Sequence, residues 1–293
     1  MSKLAKDIEA LDEFLASHSR IVVLTGAGIS VASGIPTYRD KEGRWRHSEP
    51  IKHQEFLAEP DRRQRYWARS MRGWPAVRDA RPTAAHRALA ILERRGHIDT
   101  IITQNVDRLH QRAGSARVID LHGRLDRVQC LDCDSFHCRE RIQQQLVRGN
   151  DSVRVATEAR PDGDADLAPD IERQFRVPTC SACGGTLMPD VVFFGGTVPR
   201  SRVQACIEAV ERNDALLAVG SSLQVFSGFR FCRQAQRLGK PLAVLNPGIT
   251  RADDIAQLKV SADCQALLTA FAGTAGHRET CLLYTSPSPR DIH

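Results

Sequence analysis

Residues 21–39 read IVVLTGAGISVASGIPTYR, a β-branched apolar run that ends abruptly in a loop of small residues. A buried strand followed by glycines is typical of a phosphate-binding turn. The dinucleotide-binding pattern is G-x-G-x-x-G, and Gly26 and Gly28 fill its first two glycine positions. Val31 stands at the third position, and the next glycine is displaced to Gly34. The stretch therefore predicts a nucleotide-binding loop of altered form.

Short apolar runs that predict buried strands recur along the chain, and helical patterns separate most of them. The predicted strands are residues 21–25, 100–103, 118–121, 215–219 and 241–245. The predicted helices are residues 83–95, 201–213 and 227–238. This alternation predicts an α/β fold, with a Rossmann-like parallel sheet that helices cover on both faces.

Two regions interrupt the alternation. Residues 37–82 are polar, arginine-rich and helical at best, and residues 126–188 contain two C-x-x-C pairs. We therefore predict a helical cover over 37–82, and a smaller zinc-binding domain over 126–188 inserted into a discontinuous Rossmann-like domain of residues 1–36, 83–125 and 189–273. Residues 274–293 are rich in Ser and Pro without a hydrophobic period, which predicts a disordered tail or a non-native extension.

The two cysteine pairs have the spacing of a metal site. Cys130 and Cys133 form the first pair, and Cys180 and Cys183 form the second, which two glycines follow. Four thiolates suit tetrahedral zinc and leave no open coordination position, so the predicted site is structural. The alternatives are a redox-active pair, ordinary core cysteines, or His137 and Cys138 as substitute ligands.

Composition narrows the class of protein. The chain has 42% hydrophobic and 26% charged residues, as ordinary globular proteins do, and its formal net charge is +6. It contains no apolar run of about 18 residues, so we expect no membrane span. Acidic residues in the amphipathic N-terminal segment argue against a signal or transit peptide. Cysteines arranged for metal binding favour a reducing compartment, and we expect a cytoplasmic protein.

Polar residues follow several of the predicted strands, where ligands of α/β proteins bind. Gln104, Asn105 and Asp107 follow the strand at 100–103, and His122 ends the next one. A histidine near its reference pKa of about 6.5 takes a proton at neutral pH without special tuning. The turns GSSLQ (220–224) and NPG (246–248) are candidates for phosphate and ribose contacts.

Taken together, these motifs resemble those of the sirtuins. GAGIS (26–30), GIPTYR (34–39), TQNVD (103–107), LHG (121–123), the two cysteine pairs, PDVVFFG (189–195), GSSL (220–223) and the Asn246 turn occur in the order found in that family. RQRYWAR (63–69), RPDGDADLAPD (160–170) and GSSLQVFSGFR (220–230) are similar to its class II branch. Gly196 departs from the pattern, because members commonly carry Glu or Asp there.

The resemblance implies an NAD-dependent protein lysine deacylase, with NAD as co-substrate and one structural zinc ion. It implies catalytic roles for His122, Asn105 and Asp107, with His122 as general base and the two others lining the nicotinamide and ribose pocket. The implied contacts to NAD are Gly26, Ala27, Gly28, Ser30, Pro36, Tyr38, Arg39, Gln104, Asn105, Val106, Asp107, Gly220, Ser221, Ser222, Asn246, Pro247, Gly248 and Cys264. The implied products are deacylated lysine, nicotinamide and O-acyl-ADP-ribose.

Other functions remain open from the sequence. Mono-ADP-ribosyl transfer to protein is the alternative within the family. An NAD-dependent dehydrogenase and a zinc-ribbon nucleic-acid binder are remote alternatives, and we do not expect nucleic acid as a partner. We expect acyl-lysine proteins as substrates, a monomer, and a mitochondrial matrix location if the source is eukaryotic. Tyr66 and Arg69, three residues apart on a predicted helix, are candidates for recognising acidic or long acyl groups.

Overall fold

A computed structural model of the chain describes residues 3–38, 40, 44, 50–151 and 174–270. Its larger sheet has six strands, and the five strands expected in this sheet are all confirmed, with small changes at their ends. The strands are β1 (Ile21–Thr25), β2 (Ile98–Thr103), β3 (Val118–Asp120), β7 (Ala215–Val219), β8 (Leu242–Leu245) and β9 (Leu258–Val260). The last of these was not predicted, because three residues are too few to give a period.

The strand order in this sheet is β3-β2-β1-β7-β8-β9, and every neighbouring pair is parallel. The chain therefore builds outward from β1 in one direction and then from β7 in the other. Such a reversal leaves a crevice between the two central strands at their carboxyl ends, where ligands of Rossmann-like folds bind. Both β1 and β7 are buried along their whole length, which explains their continuous apolar sequence.

Helices cover both faces of this sheet, as predicted. One face packs against α1 (Lys3–Ala16) and α4 (Ala84–Arg94), and the other packs against α7 (Arg200–Arg212) and α8 (Phe226–Arg237). Thr83 caps α4 by accepting a hydrogen bond from the His86 backbone N–H. A short helix, α5 (Leu109–Arg112), follows β2.

The smaller sheet carries the cysteine pairs. It is antiparallel, with the order β5-β4-β6, and consists of β4 (Gly123–Cys130), β5 (Phe136–Cys138) and β6 (Leu187–Val191). Beside it lie α2 (His53–Ala58), α3 (Pro60–Asp79) and α6 (Arg139–Gly149). Phe56 and Trp67 share one buried cluster with Val128, Leu146 and Leu187 from the smaller sheet and α6.

This packing changes the expected organisation of the second lobe. The predicted limits of the small domain, at residues 126 and 188, lie inside β4 and β6. The described helices of the predicted cover at 37–82 pack against the smaller sheet, because α3 carries a buried stripe that includes Tyr66, Trp67 and Met71. The polar composition of this helix concealed that stripe from sequence analysis. The division into domains stays a prediction. We propose that the small domain includes all of β4 and β6, and that the described helices of 37–82 belong to it.

Some expectations fall on residues outside the described ranges. They are the acidic RPDGDADLAPD segment, Arg39 and the predicted tail at 274–293. Of the helices in the described ranges, none combines the length and the apolar character that crossing a membrane requires.

Candidate functional site

Two glycine-containing turns meet at the crevice between β1 and β7. The Gly26 N–H donates to the Val219 carbonyl oxygen at 3.1 Å, and the Gly28 N–H donates to the Gly220 carbonyl oxygen at 2.8 Å. A Cβ atom on Gly28 would lie 2.7 Å from that same oxygen. Gly220 itself has φ +60°, a conformation that favours glycine. The turns can therefore touch backbone to backbone only because both are built from glycine.

The altered third position of the glycine pattern has a structural reason. In the dinucleotide pattern the third glycine lets an α-helix pack closely on the strand. Here the segment after β1 is a 3₁₀ helix, Ala27–Ser33, which ends at Gly34 with φ +83°. Val31 is 50% exposed, so it does not press against the sheet. The displaced Gly34 ends this short helix instead.

A cleft of about 630 Å³ opens from these turns between the two sheets. Most of the residues implied to contact NAD line it, although their roles stay predictions. The lining includes Gly26, Ala27, Gly28, Ser30, Tyr38, Gln104, Asn105, Val106, Asp107, Gly220, Ser221, Ser222, Asn246, Pro247, Gly248 and Cys264. Pro36 is not among the lining residues, and Arg39 is outside the described ranges.

His122 lies in this cleft directly after β3, with both ring nitrogens hydrogen-bonded. Its Nδ1 is 2.9 Å from the Gln104 carbonyl oxygen, and its Nε2 is 2.7 Å from the Ser227 Oγ. Because a carbonyl oxygen can only accept, Nδ1 must carry the proton of the neutral ring. The Nε2 lone pair is therefore the one available to take a proton.

The surroundings of His122 keep its ring neutral. Burial, together with the positive charges of Arg202 and Arg230, lowers its pKa from 6.5 to about 4, although the hydrogen bond to the Gln104 carbonyl acts in the opposite direction. At neutral pH the ring is consequently uncharged and able to act as a base.

Asn105 and Asp107 form a second polar group in the cleft, next to Ser30. The Ser30 hydroxyl donates to Asp107 Oδ2 at 2.7 Å, and the Leu109 N–H donates to Asp107 Oδ1 at 2.9 Å. Asn105 Nδ2 donates to the Gly26 carbonyl oxygen at 3.1 Å. Burial raises the pKa of Asp107 in spite of these donors. The group joins the end of β2 to the first glycine turn and lines the same cleft as His122.

The structure adds residues to this site that sequence analysis did not single out. Ser227 contacts His122, and Arg230 and Phe193 line the cleft. Ser227 follows the GSSLQ turn by only a few residues, but nothing in the sequence places its hydroxyl beside His122.

The predicted pairing of Tyr66 with Arg69 in the cleft is only half supported. Tyr66 lines the cleft, whereas Arg69 is 3% exposed and is not among its lining residues. Trp67 is fully buried and donates to the Leu187 carbonyl oxygen, so it belongs to the core of the smaller lobe.

The four predicted zinc ligands lie together at the edge of the smaller sheet. The Sγ atoms of Cys130, Cys133, Cys180 and Cys183 all lie within 4.8 Å of one another. Cys130 Sγ is 3.5 Å from Cys183 Sγ, and Cys133 Sγ is 3.8 Å from Cys180 Sγ. Tetrahedral zinc with bonds of about 2.3 Å requires sulfur atoms about 3.8 Å apart, so the residues fit a zinc ion.

Several hydrogen bonds reach the clustered sulfur atoms. Backbone N–H groups of Asp132, Ala182 and Gly185 each donate to a cysteine sulfur at 3.4 Å. The Ser135 hydroxyl lowers the pKa of Cys133, and it lowers the pKa of Cys180 to about 5. His137 lies 3.3 Å from the Cys180 sulfur and is not one of the four clustered groups, so in the described residues the cysteine set is the better fit.

Comparison with known proteins places these features in a family. Residues 26–227 match the model of the Sir2 family. The chain is 52% identical over 269 residues to an NAD-dependent protein deacetylase of Bordetella bronchiseptica, covering 92% of this chain and 98% of that protein. It is 50% identical over 254 residues to the NAD-dependent protein deacylase SIR4 of Monosiga brevicollis, covering 85% of this chain and 82% of that protein.

Solved structures agree with the sequence comparison. A Sir2 complex with a p53 peptide and NAD⁺ has a TM-score of 0.73 and 30% identity, covering 94% of this chain and 99% of that one. A Sir2Tm structure bound to a propionylated peptide has a TM-score of 0.73 and 29% identity, covering 92% of this chain and 98% of that one. A two-lobed fold, four clustered cysteines and a histidine-containing cleft thus accompany the sequence match, and the chain belongs to the Sir2 family, the sirtuins.

Proposed function

We propose that this protein is an NAD-dependent protein lysine deacylase that releases nicotinamide and forms O-acyl-ADP-ribose. The observation that carries the proposal is His122, which lines the cleft and whose Nδ1–H is held by the Gln104 carbonyl, so that Nε2 keeps the lone pair of the neutral ring. Family membership argues against the dehydrogenase and the zinc-ribbon nucleic-acid binder. The relatives named as deacetylases and deacylases support the choice of reaction.

Different residues of the cleft would bind NAD and remove the proton. The turns at Gly26 and Gly220 line the part of the cleft where phosphates would bind, and Asn246 lies directly after the neighbouring β8. Bound NAD would supply a ribosyl carbon that accepts the acyl oxygen when nicotinamide leaves. His122 Nε2 would then take a proton from a ribose hydroxyl, a contribution typically worth about 10² to 10⁴ in rate.

The zinc ion has a separate role. Four thiolates fill the coordination of zinc and leave no position for substrate. The ion would join the turn after β4 to the turn before β6, and so hold the wall of the cleft to which β6 contributes.

The test is incubation of the purified protein with NAD and acetyl-lysine peptide, with mass spectrometry of both products. We expect the peptide to lose its acyl mass only when NAD is present, in step with nicotinamide and O-acyl-ADP-ribose. Mass gain on a protein acceptor without deacylation would instead indicate mono-ADP-ribosyl transfer. Reduced NAD in place of nicotinamide would indicate a dehydrogenase.

The preferred acyl group is a finer question for the same assay. Acetyl, glutaryl-type and lipoyl-type peptides compared by kcat/KM test the expectation that acidic or long groups are removed faster. The position of Tyr66 in the cleft supports a role in that choice, and Tyr66→Phe is the variant to compare. Arg69 is buried away from the cleft lining, so Arg69→Ala tests an indirect role only.

We also propose a monomer in a reducing, cytoplasmic compartment, or in the mitochondrial matrix if the source is eukaryotic. The support for the compartment is the clustering of four cysteines in the geometry of a zinc site, which disulfide formation would destroy. Light scattering of the purified chain tests the monomer, and fractionation of the source cells tests the location.

A further inference from the structure

One hydrogen bond at the base has no role in the proposed function. Ser227, in the first turn of α8, places its Oγ 2.7 Å from His122 Nε2. That nitrogen carries the lone pair on which proton removal depends. The Ser227 hydroxyl therefore occupies the position that a substrate hydroxyl must take.

The direction of this hydrogen bond follows from the other side of the ring. The Gln104 carbonyl oxygen can only accept, which puts the ring proton on Nδ1 and leaves Nε2 as an acceptor. Ser227 must consequently donate its O–H to Nε2. A donor to a neutral base stabilises the neutral form and lowers its pKa.

The two partners of the ring, Gln104 and Ser227, lie on segments that pack closely against each other. A Cβ atom on Gly228 would lie 2.5 Å from Gln104 Oε1, so only glycine lets the start of α8 approach that side chain so closely. The Gln104 amide also donates to Ser221 Oγ at 2.9 Å and to the Thr25 carbonyl oxygen at 3.3 Å. Gln104 therefore contacts the ring through its carbonyl oxygen, and its side chain lies against Gly228, the residue after Ser227.

We propose that Ser227 is a positioning residue that donates to His122 Nε2 in the free protein, keeps the ring oriented and neutral, and releases the lone pair when a substrate hydroxyl enters. The exchange replaces one O–H donor with another, so no bond other than hydrogen bonds is made or broken in this step. The identity of the incoming hydroxyl as that of ribose rests on the proposed function, whereas the hydrogen bond in the free protein does not.

The charged groups around the His122 ring are the same in the wild type and in a Ser227 variant. Arg202 of α7 and Arg230 of α8 act on His122 through their positive charges, and Asp190 of β6 lies 4.0 Å from Arg202. All three remain when Ser227 is replaced. A change of the His122 pKa in a Ser227 variant therefore reports on the hydroxyl.

The deciding experiment is an NMR titration of the free protein with labelled histidine, using His122→Gln to assign the ring resonance. Ser227→Ala should raise the His122 pKa by about half a unit to one unit, the value of one hydrogen bond. Ser227→Thr keeps a hydroxyl and should retain most of the wild-type value. Ser201→Ala, at an exposed position on α7, is the control and should cause no change.

Kinetics then test the release of the lone pair. In Ser227→Ala the acidic limb of the kcat/KM profile should move to higher pH together with the NMR value, and Ser227→Thr should return it towards the wild-type position. An unchanged NMR pKa would overturn the proposal. So would a kcat reduced at least about tenfold at every pH and restored by Thr, because Ser227 would then relay the proton. If no variant deacylates any peptide, the proposed function fails, and the titration still decides the role of Ser227.

Discussion

The cleft and the cysteine cluster are assembled in opposite ways. Each cysteine pair makes its turn within a few residues, with backbone N–H groups donating to sulfur at 3.4 Å, and one ion would join the two turns. The cleft takes its lining from the ends of β1, β2, β3, β7 and β8, which are spread along most of the chain. Local spacing therefore determines the first site, and strand order determines the second.

The difference predicts how each site fails. A site closed by one metal ion should fail as a unit when a ligand is lost. A site made of backbone contacts between two turns should lose affinity in proportion to the displacement of one turn. Replacing a single side chain that takes part in the reaction should change neither the stability of the protein nor its affinity for the ligand.

The largest expected effect is that of Cys180→Ser, which removes one of the four thiolates. We expect the purified variant to hold less than about half an equivalent of zinc, and its unfolding midpoint to fall by more than about 5 °C, because structural metal binding stabilises the fold. Deacylation should be lost as a consequence. Elemental analysis and calorimetry measure both quantities.

Cys138→Ser is the matched control for the zinc site. Cys138 is an exposed cysteine at the end of β5 and is not one of the clustered four. Its zinc content and unfolding midpoint should equal those of the wild type. Full zinc and unchanged stability in Cys180→Ser would contradict the assignment of this ligand.

His122→Ala should separate chemistry from stability. Turnover of acyl peptide should fall at least about a hundredfold, the lower range of general-base effects, while circular dichroism and NAD affinity stay close to wild type. His97→Ala, at a half-buried histidine outside the cleft, should retain full turnover. Turnover of His122→Ala within a few-fold of wild type would refute its role as base.

The same contrast explains what sequence analysis could find. The cysteine spacing predicted four ligands that the structure brings within 4.8 Å, and the apolar runs predicted the central strands. Ser227 was missed because its contact with His122 spans 105 residues and depends on how α8 begins. The buried stripe of α3 was missed because arginines dominate its composition. Burial of Arg69 overturned its expected place in the cleft, which helical spacing alone could not reveal.

Gly28→Ala should weaken nucleotide binding without unfolding the protein. The added Cβ would lie 2.7 Å from the Gly220 carbonyl oxygen, so the two turns must separate by a few tenths of an ångström. We expect the Kd for NAD to rise about tenfold, equal to about 1.4 kcal/mol. Gly149→Ala is the control, since its new Cβ would meet only Arg176 Cβ at 4.0 Å. Calorimetric titration measures both, and equal affinities for the two variants would contradict the argument.

The last expected effect leaves both sites intact: it concerns acid stability and comes from two buried histidines of the larger lobe. His86 of α4 and His110 of α5 pack with ring centroids 4.7 Å apart, and neither His86 Nε2 nor His110 Nδ1 has a hydrogen-bond partner in the described residues. Burial lowers the pKa of His86 from 6.5 to about 3 and lowers the pKa of His110 well below 6.5. Below 6.5 the unfolded chain binds protons that the folded chain does not, so this part of the stability is complete above that pH and declines as the pH falls.

Each histidine should contribute a slope approaching about 1.4 kcal/mol per pH unit in that window. His86→Asn isolates one of them, because its Oδ1 can replace Nδ1 as acceptor for the Thr83 N–H, which donates at 3.1 Å, and it cannot titrate. The variant should be less stable at neutral pH, since it leaves a cavity, yet lose less stability than wild type on acidification to about pH 5. Denaturant unfolding at several pH values, with zinc content held constant, measures the slope. Parallel slopes in the two proteins would mean that His86 has the same pKa in the folded and unfolded states, and that the acid sensitivity arises at other groups.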